Sequence, residues 1–345
     1  MAIKKILERK NILVTGGAGF IGSHLCDELV KENNVICLDN FSSGKVENIN
    51  HLLQNQNFEL IKHDINKKIN LEDFRELDKF KVKFQGIDEI YHLATPTSPK
   101  NFDKYKIDTL KTNSIGVINA LEVAKKHKAK FLLASSVVVY GPRFENAPIF
   151  TEDYLGYVDI TGQRSCYDEG KRFSESAVAT YNQAYNLEAK IARVFRTYGP
   201  RLSLFDGHMI PDFVLQAINN KPLQIYGGEE FTTSLCYVSD IVDGLMKFMK
   251  STEIGPFNFG HYEEYKMSDV AEKIKKMINS KSEIEFKESM VFMTPLGIPD
   301  ISLAKQKLGW YPLTSLDSGL ERTIEYVKAS KDILSPMLWK YEDKD

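Results

Sequence analysis

The sequence is poor in cysteine and has no long apolar segment, and both absences narrow the class of protein. Only four of the 345 residues are cysteines, and no two of them form a C-x-x-C pair. We therefore expect reduced thiols in a cytoplasmic protein and no metal site. No stretch is apolar for long enough to cross a bilayer, and the opening residues, MAIKKILERK, lack the apolar core of a signal peptide. We therefore expect no membrane partner.

An excess of charge of one sign is also missing. The chain has 45 basic and 47 acidic residues, which gives a net charge of −2. A nucleic-acid-binding protein usually carries a basic stripe, so we expect no nucleic-acid partner. The length suits one large α/β unit or two domains that share a core.

Strand-like and helix-like segments alternate through the first 195 residues. The predicted strands lie at 11–16, 34–39, 58–65, 87–94, 129–136 and 187–195, and helices are predicted at about 22–31 and 105–128. This alternation favours a Rossmann-type α/β fold, a doubly wound parallel sheet with helices on both faces. After Gly199 the pattern becomes irregular and rich in Gly, Pro and Tyr, which indicates a smaller C-terminal substrate lobe.

A glycine-rich stretch, VTGGAGFIGSHL, joins the first predicted strand to the first helix. Gly16, Gly19 and Gly22 recur at every third position, which allows a tight turn and a close approach of the backbone to a pyrophosphate. Asp39 ends the second strand, where a carboxylate can accept both ribose hydroxyls and repels a 2′-phosphate. The prediction is therefore NAD, with a purely structural glycine turn as the alternative. Asp64 is either a contact of the adenine or a loop cap.

The segments LCYVSDIVDGLMKFM and PFNFG resemble returns of the chain to the main sheet. The predicted domains are therefore discontinuous. We expect an NAD-binding domain at 8–198 plus about 235–262, a substrate-binding lobe at about 199–234 plus 263–330, and a tail at 331–345.

The stretch RSCYDEGKR places Tyr167 and Lys171 four residues apart, on one face of a helix. A phenol with a pKa near 10 is a poor base, but a nearby ammonium and an oxidised nicotinamide lower that pKa. Ser136, at the end of the fifth predicted strand, can share the hydrogen bond of the substrate hydroxyl. The three side chains predict that an alcohol loses its proton to Tyr167 while hydride passes to NAD. The alternative is a helix surface without a catalytic role.

Nine pieces of the chain, spread in order over residues 10–312, carry a family resemblance. They are ILVTGGAGFIGSHL, LDNFSSGK, YHLATPTSP, TLKTNSIGVINALEVAK, SSVVVYG, RSCYDEGKR, YGPR, YVSDIVDGL and LGWYP. Together they resemble the extended short-chain dehydrogenases/reductases that act on nucleotide sugars, and within them the UDP-glucuronate decarboxylases. The resemblance implies tightly bound NAD, a nucleotide-sugar substrate and oxidation at C4 of the sugar. It also implies a homodimer or homotetramer, formed through the helix at 105–128 and the helix that carries Tyr167.

The resemblance further implies the residues that contact each ligand. The additional cofactor contacts are Phe20, Ile21, Asn40, Ser43, Gly44, Ile65, Leu93, Ala94 and Thr95, beside Tyr167 and Lys171. The substrate contacts are Thr97, Ser136, Arg196, Tyr226 and Thr233.

Several positions depart from this family. Val138 stands where the decarboxylases usually have Glu, and Val137 and Val138 together replace the Asp-Glu pair of the related 4,6-dehydratases. Thr233 replaces an Arg of the decarboxylases, and Arg196 replaces an Asn. These departures predict a C4 dehydrogenase that does not return its hydride, acting on a neutral NDP-hexose or a heptose such as GDP-manno-heptose in bacterial capsule synthesis. UDP-glucuronate decarboxylase and NDP-sugar 4-epimerase are the alternative enzymes, and a non-catalytic dinucleotide sensor is the alternative of another class.

Overall fold

The computed structural model describes residues 9–144, 148–204, 206–289 and 295–342, and for 331–342 it describes the backbone alone. The strands, in chain order, are β1 (Asn11–Thr15), β2 (Asn34–Asp39), β3 (Phe58–Lys62), β4 (Glu89–His92), β5 (Lys130–Ser136), β6 (Ile149–Phe150), β7 (Ala189–Val194), β8 (Thr197–Tyr198), β9 (Leu223–Tyr226), β10 (Thr232–Ser234), β11 (Cys236–Tyr237), β12 (Phe257–Phe259), β13 (Glu264–Lys266), β14 (Ile284–Lys287) and β15 (Ile298–Pro299).

Helices connect most of these strands. The α-helices are α1 (Phe20–Leu29), α2 (Val82–Gln85), α3 (Phe102–Lys111), α4 (Val117–His127), α5 (Ser165–Tyr185), α6 (Met209–Ile218), α7 (Val238–Lys250), α8 (Met267–Ile278), α9 (Ser302–Leu308) and α10 (Leu316–Glu342). A π-helical turn (Thr112–Gly116) joins α3 to α4, so that the helical stretch predicted at 105–128 is continuous. Short 3₁₀ helices lie at Val46–Asn48, Asn50–Leu52, Leu71–Asp73, Arg75–Phe80 and Val137–Tyr140.

Seven parallel strands form the central sheet, in the order β12-β7-β5-β4-β1-β2-β3. The order reverses at β1, because β2 and β3 extend to one side and β4, β5 and β7 to the other. This confirms the predicted doubly wound parallel sheet. In such a sheet, ligands bind beyond the carboxyl ends of the strands at the point of reversal.

Both faces of the sheet are buried because apolar residues occupy successive positions of each strand. In β1, Ile12 and Val14 join the core on one face, whereas Leu13 joins the core on the other. Side chains alternate between the two faces of a strand, so a nearly continuous apolar run fits a sheet covered on both sides. The first core continues past the sheet to Phe213 and Val270 and so packs the two predicted lobes together. The predicted division into two domains stays a prediction.

One of the two predicted returns to the sheet differs in the structure. Residues 257–259 do form the edge strand β12 beside β7. The earlier segment instead pairs β11 with β8 in a separate two-stranded sheet and continues as α7, which packs on α1 and on the strands of the central sheet. The reason is its pattern, since the buried residues of α7 recur at helical spacing on one face.

The predicted tail, residues 331–345, begins inside α10. The helix includes the first twelve residues of that tail and ends at Glu342. Residues 343–345 lie outside the described residues, as do residues 1–8, the last of which begins the predicted NAD-binding domain. In the part of the chain that the structure describes, no helix combines the length and the apolar character needed to cross a membrane. The predicted two-fold assembly stays a prediction. The helices on which it rests leave Ile107, Leu110 and Phe173 exposed.

Candidate active site

A cavity of about 410 Å³ opens beyond the carboxyl ends of the central strands. Its wall includes residues from the ends of β1, β2, β4, β5 and β7, together with the N-terminus of α1 and one face of α5. The cavity therefore lies where the strand order reverses, which is the position expected for a dinucleotide.

The glycine loop brings three backbone segments into contact. Gly16 has a φ of +72°, and a Cβ added there would lie 2.8 Å from the backbone of Ala94 at the end of β4. A Cβ at Gly22 would overlap the carbonyl oxygen of Gly16. Any larger residue would therefore push α1 away from the turn that precedes it. The close packing leaves the N-terminus of α1 facing the cavity, where free N–H groups suit a pyrophosphate.

Asp39 is a buried carboxylate held by the backbone. Its two oxygens accept hydrogen bonds from the N–H groups of Ala18 (3.0 Å) and Phe41 (2.8 Å). Burial raises the pKa of Asp39, and these N–H groups oppose that change. A Cβ on Gly44 would lie 2.9 Å from both carboxylate oxygens, so the loop after β2 closes tightly over the side chain. The residues present therefore fit an NAD ribose, whose hydroxyls can donate to the remaining lone pairs of Asp39.

Ser136, Tyr167 and Lys171 line the same cavity. A hydrogen bond connects Ser136 and Tyr167. Lys171 is almost completely buried, donates to the carbonyl oxygen of Ala134 at 2.9 Å, and has its Nζ 6.0 Å from the centre of the Tyr167 ring. The strand end of β5 thus positions the serine and the lysine, while α5 carries the phenol and the ammonium on one face. The structure brings the predicted triad together.

The electrostatics of the triad differ in part from the sequence prediction. Burial raises the pKa of Tyr167, and the groups that act against this are the Ser136 hydroxyl and the guanidinium of Arg164. Burial also lowers the pKa of Lys171 to about 8, against the attraction of the Glu175 carboxylate. The Ser136 hydroxyl and the Arg164 guanidinium therefore favour the phenolate of Tyr167, in addition to the Lys171 ammonium that the sequence analysis named for this role.

Two residues that the sequence analysis missed position the triad. Asn113 lies in the π-helical turn, where its side chain donates to Thr95 and its carbonyl oxygen accepts from Ser174 of α5. A Cβ on Gly170 would lie 2.9 Å from the Asn113 side chain, so the turn packs directly against the catalytic helix. π-helical turns often occur at functional sites. Asn113 therefore ties α5 to the cofactor loop at Thr95.

Glu175 is the second missed residue. Its carboxylate accepts from Ser135 at 2.6 Å and pairs with the Arg193 guanidinium at 2.8 Å. Arg193 also donates to Tyr140, which donates to Asn258. Because a buried charge pair requires such additional hydrogen bonds, this network fixes the ends of β5 and β7 behind the cavity. Its members are far apart in the sequence, so no local pattern indicated them.

The substrate half of the cavity carries an unexpected group of charged side chains. Arg164 and Arg196 both line the wall, and the Nε of Arg196 is buried without a hydrogen-bond partner. Arg164 pairs with Asp168 one turn further along α5. Asp206 and His208 line the wall nearby, and Asp206 accepts hydrogen bonds from Ser98 and Asn101. Only Arg196 of this group was a predicted substrate contact, although Arg164 opens the motif that contains Tyr167.

Most of the predicted contacts line this one cavity. They are Gly16, Gly19, Phe20, Ile21, Gly22, Asp39, Asn40, Ser43, Gly44, Ile65, Leu93, Ala94, Thr95, Thr97, Ser136, Tyr167, Lys171 and Arg196. Three predicted residues, Asp64, Tyr226 and Thr233, do not line it. Thr233 is buried in β10, Tyr226 donates to Gln224, and Asp64 accepts from the N–H of Asn66 as a loop cap.

Residues 12–260 match the model of the family described as NAD dependent epimerase/dehydratase. The chain belongs to this family. The match spans the glycine loop, Asp39 and the Ser136–Tyr167–Lys171 triad, so the NAD cofactor predicted from these residues is confirmed. Within the family, UDP-glucuronic acid decarboxylase 1 of Arabidopsis thaliana is 43% identical over 318 residues, which are 92% of this chain and 69% of that protein. The protein of the same name from Xenopus tropicalis is 40% identical, over 93% of this chain and 73% of that protein.

A solved structure gives the same picture of the fold. The structure of the UDP-glucuronic acid 4-epimerase of Bacillus cereus, in complex with UDP-glucuronic acid and NAD, matches the structure of the present chain with a TM-score of 0.80. The two chains are 29% identical, over 92% of this chain and 99% of that one.

These relatives correct one prediction. The departures at Val137, Val138 and Thr233 predicted a dehydrogenase that oxidises C4 without returning its hydride. Relatives of about 40% identity from plants and animals are instead named UDP-glucuronic acid decarboxylases. The prediction was wrong because it treated two missing helper side chains as the loss of a reaction step.

Proposed function

We propose that this protein is an NAD-dependent UDP-glucuronate decarboxylase, which oxidises the sugar at C4, releases its carboxylate as carbon dioxide and then reduces C4 again. The observation that carries the proposal is the joint placement of Ser136, Tyr167 and Lys171 beside the glycine loop, in a chain that is 43% identical to a protein of that name. We take UDP-glucuronate as the proposed substrate, and the support for it is the names of relatives of about 40% identity.

The first step is a proton transfer at the C4 hydroxyl. Tyr167, as the phenolate, takes the proton, and Ser136 holds the sugar oxygen by a shared hydrogen bond. Lys171, fixed against the carbonyl oxygen of Ala134, supplies a positive charge to the same region. NAD, held by the glycine loop and Asp39, would supply the hydride acceptor for C4 and the hydride donor for its later reduction. The chain's own contribution is therefore to orient the hydroxyl and to accept its proton.

The second step does not require a carboxylate helper from the protein. A 4-keto uronate is a β-keto acid, so the C5–C6 bond can break while its electron pair moves onto the C4 carbonyl oxygen. The hydroxyls of Ser136 and Tyr167 can stabilise that oxyanion by hydrogen bonds. The carboxylate leaves as neutral carbon dioxide and C5 takes up a proton from water. C4 then recovers the hydride that it lost in the first step, and its oxygen takes back the proton from Tyr167.

The valine wall is compatible with this chemistry. Val137 and Val138 line the cavity directly after Ser136 and are both buried. Loss of carbon dioxide from a β-keto acid needs no acid or base next to the departing carboxylate, so apolar side chains at these positions do not block it. The two valines therefore do not exclude decarboxylation. They cannot replace the Asp-Glu pair of the 4,6-dehydratases, because dehydration requires an acid and a base.

The test is incubation of the purified protein with UDP-glucuronate, followed by NMR of the sugar and measurement of released carbon dioxide. We expect a UDP-pentose, one carbon dioxide per product molecule, and no net change in absorbance at 340 nm because the hydride returns. A product that keeps its carboxylate but has inverted C4 would instead identify a 4-epimerase, the activity in the name of the Bacillus cereus relative. Either that product or a lack of turnover would refute the decarboxylase.

A further inference from the structure

Arg196 follows the strand that pairs with the strand carrying the catalytic serine. Ser136, the last residue of β5, pairs with Val194, the last residue of β7. Val138 and Arg196 each follow two residues later, where the chain leaves the sheet, and all three of Ser136, Val138 and Arg196 line the cavity. The guanidinium also feels the charge of Arg164, which in turn acts on Tyr167, so Arg196 belongs to the part of the cavity wall that faces the triad.

The guanidinium of Arg196 lacks the partners that a buried cation normally has. Its Nε is inaccessible to solvent and has no hydrogen-bond partner. Among the described residues, none of the carboxylates forms an ion pair with Arg196, and its nearest aromatic contact is the ring of Phe231, 6.0 Å from the guanidinium carbon. An unpaired buried cation is costly, so such groups usually meet a charge that the ligand supplies.

The surroundings of Arg196 leave it free for an anion. Arg164 is already paired with Asp168, and Asp206 is held by Ser98 and Asn101. Burial lowers the pKa of Arg196 to about 10, and the charge of Arg164 adds to this change, so Arg196 stays protonated at neutral pH. The two terminal nitrogens of a guanidinium form a fork that matches the two oxygens of a carboxylate.

We propose that Arg196 is a specificity-determining residue that binds the carboxylate of an acidic sugar through this fork. The proposal rests on the proposed function for its substrate, and it assigns to Arg196 the cation that Thr233 cannot supply. A diphosphate shares the anionic chemistry of a carboxylate. The position of Arg196 after β7 and near Arg164, on the triad side of the cavity and away from the glycine loop, favours the carboxylate.

The experiment measures binding without turnover. In a Tyr167→Phe background loaded with NAD, isothermal titration gives dissociation constants for UDP-glucuronate, UDP-glucose and UDP, with and without Arg196→Met. We expect Arg196→Met to raise the dissociation constant of UDP-glucuronate by about 10- to 100-fold. The dissociation constants of UDP-glucose and UDP should change by less than about twofold. Arg196→Lys keeps the charge but loses the fork, so we expect an intermediate loss.

The controls separate recognition from folding. Arg75→Met removes an exposed arginine outside the cavity and should leave all three constants unchanged. Unaltered NAD affinity and circular dichroism show that each variant is folded. An equal loss for all three ligands would assign Arg196 to the diphosphate, and no loss would remove it from recognition, so both results overturn the proposal. Selective binding of UDP-glucuronate in a protein that releases no carbon dioxide would refute the decarboxylase and leave the role of Arg196 intact.

Discussion

The cofactor half and the substrate half of the cavity are built in different ways. The cofactor half consists of backbone: the turn at Gly16, the N-terminus of α1, and the loop that Gly44 closes over Asp39. The substrate half consists of side chains from distant segments, among them Arg164, Arg196 and His208. A backbone site requires glycine at fixed spacings, which a sequence reveals directly. A side-chain site depends on which segments the fold brings together, and this is not visible in any one stretch.

The largest effect that tests this contrast is expected at Tyr167, where the two halves meet. Tyr167→Phe removes the group that accepts the C4 proton but keeps the ring, so we expect kcat to fall about 10³-fold while the affinity for NAD stays unchanged. Turnover assays and NAD titration measure the two quantities. Tyr185→Phe, at an exposed position of the same helix, is the matched control. An equal loss in both variants would mean that helix stability, and not the phenol, is the cause.

A glycine substitution tests the backbone half alone. A Cβ at Gly22 would overlap the carbonyl oxygen of Gly16, so Gly22→Ala should displace α1 from the turn and weaken NAD binding about 100-fold. Gly309→Ala is the control, because its added Cβ meets no atom within 4 Å and its φ is +60°. We expect that variant to lose about 1 kcal/mol of stability and no affinity for NAD. Normal NAD binding by Gly22→Ala would contradict a backbone-built site.

The smallest effect concerns the pH dependence of the triad. Lys171 has a pKa lowered to about 8, so its ammonium is present below that pH and is lost as the pH rises through it. We expect kcat/KM to fall about tenfold per pH unit on the alkaline side of this value. Lys171→Arg keeps its charge, so its alkaline limb should move to higher pH even if its maximal rate is lower. If kcat/KM of Lys171→Arg decreases at the same alkaline pH as that of the unchanged protein, the titrating group is not Lys171.

The sequence predicted the part of the molecule in which function depends on local pattern. The doubly wound sheet, the glycine loop, Asp39 and the Ser136–Tyr167–Lys171 triad follow from strand and helix periodicity and from fixed spacings. Thr233 was a predicted substrate contact because it aligns with a family arginine, but the fold buries it in β10. Asn113 and Glu175 were missed because their roles depend on long-range contacts with Thr95 and Arg193.

The reaction type was the least predictable property. Two valines after Ser136 suggested a lost step, because absent carboxylates are easy to see in a sequence. The β-keto acid chemistry of the proposed substrate needs no such group, and the cation can come from a different segment, as we propose for Arg196. A missing side chain therefore limits the reaction only where the substrate cannot supply the same chemistry itself.

The adjacent serines at the end of β5 have opposite environments. Ser135 donates to the Glu175 carboxylate in the network behind the cavity, whereas Ser136 forms the hydrogen bond with Tyr167. Because successive side chains of a strand point to opposite faces, deletion of one residue of β5 before Ser135 would move Ser136 to the position of Ser135 and Val137 to the position of Ser136. The number of residues in β5 thus determines which side chain faces Tyr167. Insertions or deletions in this strand should therefore reduce activity more than most point substitutions.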